Sequence, residues 1–103
     1  MDYSEPSIGT VVLSRAGRDK GKYFVVLALT EDRNYALIAD GDLRKVAKPK
    51  KKKLMHLRVK PVAIPTVKER LYAGERIYDH ELRRNLESLG YHGKSSVEDE
   101  KKE

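Results

Sequence analysis

Two segments of this chain concentrate side chains that could do chemistry, and both are cationic. Lys48, Lys50, Lys51, Lys52 and Lys53 place five positive charges in six residues. Between two apolar runs, Arg15, Arg18, Lys20 and Lys22 alternate with Gly17 and Gly21. Glycine tolerates a left-handed backbone and lets another backbone approach closely, so a glycine-kinked tip dressed with cations suits a phosphate. A run of lysines is a row of point charges that neutralises phosphates without reading bases. The plain alternatives are a solvated hairpin tip for the first and a flexible solubilising or import-type run for the second. Asp19 within the loop either lowers the local field or orients Lys20. Self-repulsion makes the lysine run costly to pack, so it is expected to be mobile without an anionic partner.

The distribution of charge sharpens this. The 103 residues carry a net charge of +6, yet residues 41–70 hold 11 Lys/Arg against 2 Asp/Glu, with small negative balances on either side. A field concentrated in one third of the chain selects polyanions. Arg44, Lys45, Arg58 and Lys60 extend the basic surface around the lysine run. His56, His80 and His92 are too far apart for a finger-like metal site, and with no Cys there is neither a thiolate ligand nor a disulfide. No phosphate-cradling Walker loop, supported carboxylate pair or nucleophile with a base is present, so no catalytic residues, metal or cofactor are expected. Tyr23, Phe24 and Tyr35 are candidates for stacking on bases, although alternation sends Tyr23 and Phe24 to opposite faces and favours Phe24 for the core. Arg83 and Arg84 read as an ordinary solvated helix face, with Glu87 one turn away.

The elements that must position these residues are short strands. Gly9–Leu13, Tyr23–Thr30 and Tyr35–Ala39 are rich in β-branched and aromatic residues. Asn34 is the candidate for a left-handed turn, and Asp40-Gly41 is a hairpin signal leading into a fourth strand over Leu43–Val46. Pro49 ends that ladder, and a fifth strand is expected from about Leu54 to Val59. Five strands in under 60 residues suggest a small bent antiparallel barrel, of a type that spacing alone leaves open. Pro61 and Pro65 bracket an extended connector. Thr66 and Glu69 form a capping box that opens a two-turn helix closed by Gly74, and a second helix over Asp79–Leu89 carries a stripe of Tyr78, Leu82, Leu86 and Leu89. Gly90-Tyr91 fits a Schellman end with Tyr91 touching Leu86.

Four pieces also resemble a known family. Gly9-x-Val11-Val12, then Ala16-Gly17, Asp19-Lys20-Gly21 and a second apolar strand, look like a KOW motif. Asn34 to Gly41, Leu43-Arg44-Lys45-Val46 and Lys53-Leu54-Met55-His56-Leu57 extend the likeness to residues 8–60. The chain thus resembles the KOW-bearing ribosomal large-subunit proteins of archaea and eukaryotes. That resemblance implies an SH3-like barrel, a noncatalytic role on ribosomal RNA, and a place near RNA for His56.

The expected organisation is a frayed 1–7, a barrel over 8–60, connector and helices over 61–91, and a disordered tail from 92. The class is mainly β with C-terminal helices. The expected partner is RNA contacted through its backbone, with the ribosome or other translation proteins as further partners. A protein-interaction module is the alternative. Met1–Ser7 has no basic region followed by an apolar run, and no segment is apolar enough for a bilayer, so a cytoplasmic monomer without membrane contact is expected.

Overall fold

Every residue of the first strand is buried, because both faces of the sheet are covered. In the computed structural model, which describes residues 6–92, β1 (Thr10–Ser14), β2 (Tyr23–Leu29), β3 (Tyr35–Ala39), β4 (Lys50–Lys53) and β5 (Leu57–Ala63) form one antiparallel sheet ordered β4-β3-β2-β1-β5. Two helices follow, α1 (Pro65–Tyr72) and α2 (Asp79–Ser88). The two edge strands are consecutive in the chain, joined by one 3-10 turn over Leu54–His56. A flat five-stranded sheet would set its edges roughly 19 Å apart at the usual strand spacing, so so short a bridge requires strong curvature.

Alternation then divides the apolar residues. Val12, Phe24, Val26, Ala36 and Ile38 share one face and are closed over by Leu54 and Leu57. Val11, Val25 and Ala39 look the other way and are covered by Ile64, Val67, Ile77, Leu82 and Leu86 from the helical part. Phe24 is fully buried, while Tyr23 packs beneath the helices with its ring 4.8 Å from that of Tyr91. The surface left to Tyr23 for base stacking is therefore already occupied.

Several boundaries differ from those expected, each for a physical reason. Residues 43–46 form no strand: Asp40 and Gly41 N–H both donate to the Arg44 carbonyl, and Asp40 Oδ1 accepts from Asp42 and Arg44 N–H, which winds the segment into a tight loop. The fourth strand is the lysine run itself, an ordered ladder with Lys50 opposite Ile38 and Lys53 opposite Tyr35 rather than a mobile segment. Leu54–His56 is the 3-10 turn, and β5 runs on through Pro61 to Ala63. Proline is tolerated there because β5 is an edge and the pairing with β1 shifts between Thr10 and Val12. The left-handed residue in the turn after β2 is Arg33, with Asn34 N–H donating to Asp32 Oδ1 instead. At the N-terminal side Pro6 is buried and Ser7 N–H donates to Thr10 Oγ1, so neither is frayed; residues 1–5 and the tail from 93 lie outside the described residues.

The Thr66–Glu69 capping box does not form. Pro65 takes the first helical position, where its missing N–H costs nothing, and this moves Thr66 inside the helix with Ile64 as the cap. It is helix α2, for which no capping box is expected, that has a carboxylate three residues in reaching back, where Glu81 accepts from Tyr78 N–H. Its stripe is only half used, since Leu82 and Leu86 are buried while Tyr78 and Leu89 stay exposed. At its C-terminus the Schellman pattern is complete: Tyr91 N–H donates to Leu86 O and Gly90 N–H to Glu87 O.

Candidate nucleic-acid interface

The loop between β1 and β2 is held by its own turns. Lys20 N–H donates to Gly17 O, Lys22 N–H to Asp19 O, and Gly21 N–H to Ser14 O. Arg15, Arg18 and Lys20 point to solvent, and Lys22 is half-buried. Gly17 is exposed and left-handed, with φ of +84°. Gly21 is buried with its amide already engaged, so it closes the turn rather than offering an N–H to a phosphate.

Lys52 fastens this loop to β4. Its stem leaves the inner face of the sheet, its amine is 2.7 Å from Asp19 Oδ1 and 2.6 Å from the Ala16 carbonyl, and the residue is 7% exposed. Ser14 Oγ donates to the same Asp19 oxygen at 2.7 Å, and Lys50 Nζ lies 3.7 Å from the other oxygen. A side chain at position 17 would begin 3.3 Å from the Lys52 amine, so glycine there makes room for the pair as well as for the turn. Burial alone pushes the Asp19 carboxyl up; hydrogen bonds from Lys52 and Ser14 and the charges of Lys52 and Lys50 outweigh it and hold the group below its ordinary 3.8. Asp19 therefore answers Lys52 and Lys50, not Lys20. Lys52, expected on the binding surface, is turned inward and neutralised.

Lys51 and Lys53 stand on the other face of β4, and both are exposed. The Lys51 amine sits over the Tyr35 ring, 4.9 Å from its centroid, which joins the one half-exposed β3 aromatic to the cations. The half-buried His56 belongs to the same neighbourhood, since its carbonyl accepts from Arg15 N–H at 2.8 Å. The basic loop, the lysine strand and the 3-10 turn are thus tied together.

The remaining candidates stand apart. Arg44, Lys45 and Lys48 are exposed in the loop before β4. Arg58 and Lys60 are half-buried on β5, the opposite edge, with the Lys60 amine 5.9 Å from the Tyr91 ring. Arg83 is no free surface cation, because its Nη1 donates to the Gly41 carbonyl at 2.7 Å. Sequence reasoning missed Ser14 as the third member of the buried network, and it missed Tyr78 as a surface aromatic. The only hint was a tyrosine at the end of a leucine stripe.

Among the described residues there is no group of three or more His, Asp or Glu that could hold a metal ion, and no helix long and apolar enough to cross a membrane. The pocket between β2, the 40–43 loop and the end of α2 measures about 130 Å³ and mixes Lys22 and Arg83 with Asp40, Asp42 and Glu87. Cations and carboxylates at such close quarters favour no single ligand charge. No family model matches the chain, and no curated protein matches it significantly.

Proposed function

We propose that the chain is a noncatalytic RNA-binding protein of the KOW type, acting in the cytoplasm on structured ribosomal RNA through its phosphate backbone. One observation carries this reading. The Lys52–Asp19 pair fastens the glycine-bearing loop to the lysine strand, so the exposed Arg15, Arg18 and Lys20 have a fixed position relative to β4, whose other face carries the exposed Lys51 and Lys53. Fixing these cations before the ligand arrives lowers the entropy cost of binding. The KOW-like residues over 8–60 support the same reading. The strand order with β4 and β5 joined by one short turn suits the SH3-like barrel which that resemblance implies. Lysines and arginines without a rigid base-reading element give affinity with little sequence preference.

The experiment is a salt titration. The intact chain should bind a structured ribosomal RNA fragment and an unrelated RNA of equal length with similar affinity, and the logarithm of the binding constant should fall steeply with the logarithm of salt, at ~0.7 to 0.9 per phosphate neutralised. No binding at about 50 mM salt, or an affinity indifferent to salt, overturns the reading. Sedimentation of a lysate at low and high salt then asks whether the chain travels with ribosomes.

A second reading rests on Met55 and Leu43, apolar side chains that are 72% and 55% exposed. They would serve a module that docks onto a protein of the transcription or translation machinery. Binding to such a partner would survive charge reversal at Lys51 and Lys53, whereas RNA binding would not.

A further inference from the structure

Helix α2 starts on top of the loop that leads to β4. The Asp79 carboxylate accepts from Val46 N–H at 2.7 Å, Arg83 donates to Gly41 O, and the Gly41 backbone lies so close beneath Asp79 that a Cβ there would meet its carbonyl oxygen at 2.2 Å. These ties bring the residues around the start of α2 beside Arg44 and Lys45, more than thirty positions earlier in the chain. The Tyr78 and His80 rings stack, with centroids 5.8 Å apart and an angle of 26°. The Arg76 guanidinium lies 5.7 Å from the Tyr78 ring. Arg44, Lys45, Arg76 and His80 are exposed, and Tyr78 is 47% exposed.

We propose that the Tyr78–His80 stack is a platform for one unpaired RNA base, with Arg44, Lys45 and Arg76 taking the phosphates beside it. This rests on the RNA-binding reading and adds the class of RNA: one in which a strand leaves the duplex next to the helix gripped by the basic loop and β4. Three features carry it. First, the exposed His80 ring, stacked on a Tyr78 ring that also carries the Arg76 guanidinium over it, offers a cation-backed aromatic surface that any base can stack on. Second, the two carboxylates flanking the rings on α2 are engaged within the chain, Asp79 by Val46 N–H and Glu81 by Arg70, while the exposed Glu75 and Asp42 are outnumbered by Arg44, Lys45 and Arg76. Third, α2 is anchored to the loop, so the aromatic and cationic groups keep their relative positions.

The test uses the full chain and two RNAs, a blunt hairpin and the same hairpin with a three-nucleotide single-stranded extension whose first base is 2-aminopurine. The extended hairpin should bind roughly tenfold more tightly, and aminopurine fluorescence should drop on binding. Tyr78→Ala should abolish both the affinity ratio and the quench, and Tyr78→Phe should retain both. His80→Ala, on the exposed side of the helix, should weaken both and serves as the readout if Tyr78→Ala fails to fold. Equal affinity for the two hairpins overturns the platform while leaving RNA binding intact. So does a ratio that survives Tyr78→Ala and His80→Ala, or loss in those variants of a protein complex with RNA discrimination unchanged. Failure of both hairpins to bind the native chain overturns the RNA-binding reading itself.

Discussion

Lys52 and Asp19, 33 positions apart, meet at 2.7 Å in a site where both side chains are about nine-tenths buried. A strand residue and a loop residue are thereby made into one unit, and that unit sets the geometry of the basic surface.

Removing either partner leaves the other charge buried with incomplete compensation. Asp19→Ala should cost about 3 kcal/mol and lower the melting temperature by roughly 12 °C or more. Lys52→Met keeps the stem and should cost less, because Asp19 retains Ser14 and the approach of Lys50. The double variant Asp19→Ala, Lys52→Met should cost less than the two single changes added together. Urea titrations of the four proteins check the cycle, and strict additivity would mean that the pair contributes no coupling.

The same pair sets a dependence on pH. The folded-state pKa of Asp19 is depressed below 3.8, so its contribution is fully present above that value and is lost as pH falls through the folded pKa. The stability gap between the native chain and Asp19→Asn should therefore hold steady from neutrality to about pH 5 and close below 3.8. Chemical denaturation across that range measures it. A gap that closes already near neutrality would assign the effect to another group.

Gly41 and Gly74 separate two kinds of glycine. Both have positive φ, but a Cβ at Gly41 would collide with the Asp79 backbone, while one at Gly74 meets nothing within 4 Å. Gly74→Ala should cost about 1 kcal/mol from backbone strain alone. Gly41→Ala adds a clash with the start of α2 and should cost about 3 kcal/mol or more. Thermal melts of the two variants give the comparison. Equal losses would show that α2 does not lean on the loop.

Lysines of one strand should differ in what they do. Lys51→Ser with Lys53→Ser should leave stability nearly unchanged while lowering the salt slope of RNA binding by about 1 to 2. Lys52→Met should do the reverse, reducing stability with a smaller change in slope. Salt titrations paired with melting curves for each variant test this, and identical behaviour of all three positions would contradict the alternation along β4.

How much of this was legible follows from where each element draws its stability. β1, β2 and β3 announce themselves because both sheet faces are covered, and their sequences are correspondingly apolar and β-branched. Residues 50–53 carry no such signature. Four lysines read as a self-repelling loop; pairing with β3 makes a strand of them, with Asp19 and the Tyr35 ring, supplied by other parts of the chain, answering their charge. Leu43–Val46 shows the opposite error, a plausible strand pattern overruled by local hydrogen bonds to the Asp40 carboxylate and by α2 resting on Gly41. Cations at Arg15, Arg18 and Lys20 were visible as candidates because exposure and charge are local properties. The inward turn of Lys52 and the seating of α2 on the loop before β4 were not, since each depends on contacts across more than thirty residues.

β4 is also a rim of the sheet, pairing with β3 alone, and the opposite rim is interrupted by Pro61, which has no N–H to donate. A second copy trying to extend the sheet along β4 would bring two rows of ammonium groups together at strand spacing. The charges to which we assign polyanion binding would therefore also keep neighbouring molecules from templating on each other. Acetylation of those lysines, or crowding on an RNA that neutralises them, would remove that safeguard and leave the backbone open to intermolecular β-pairing.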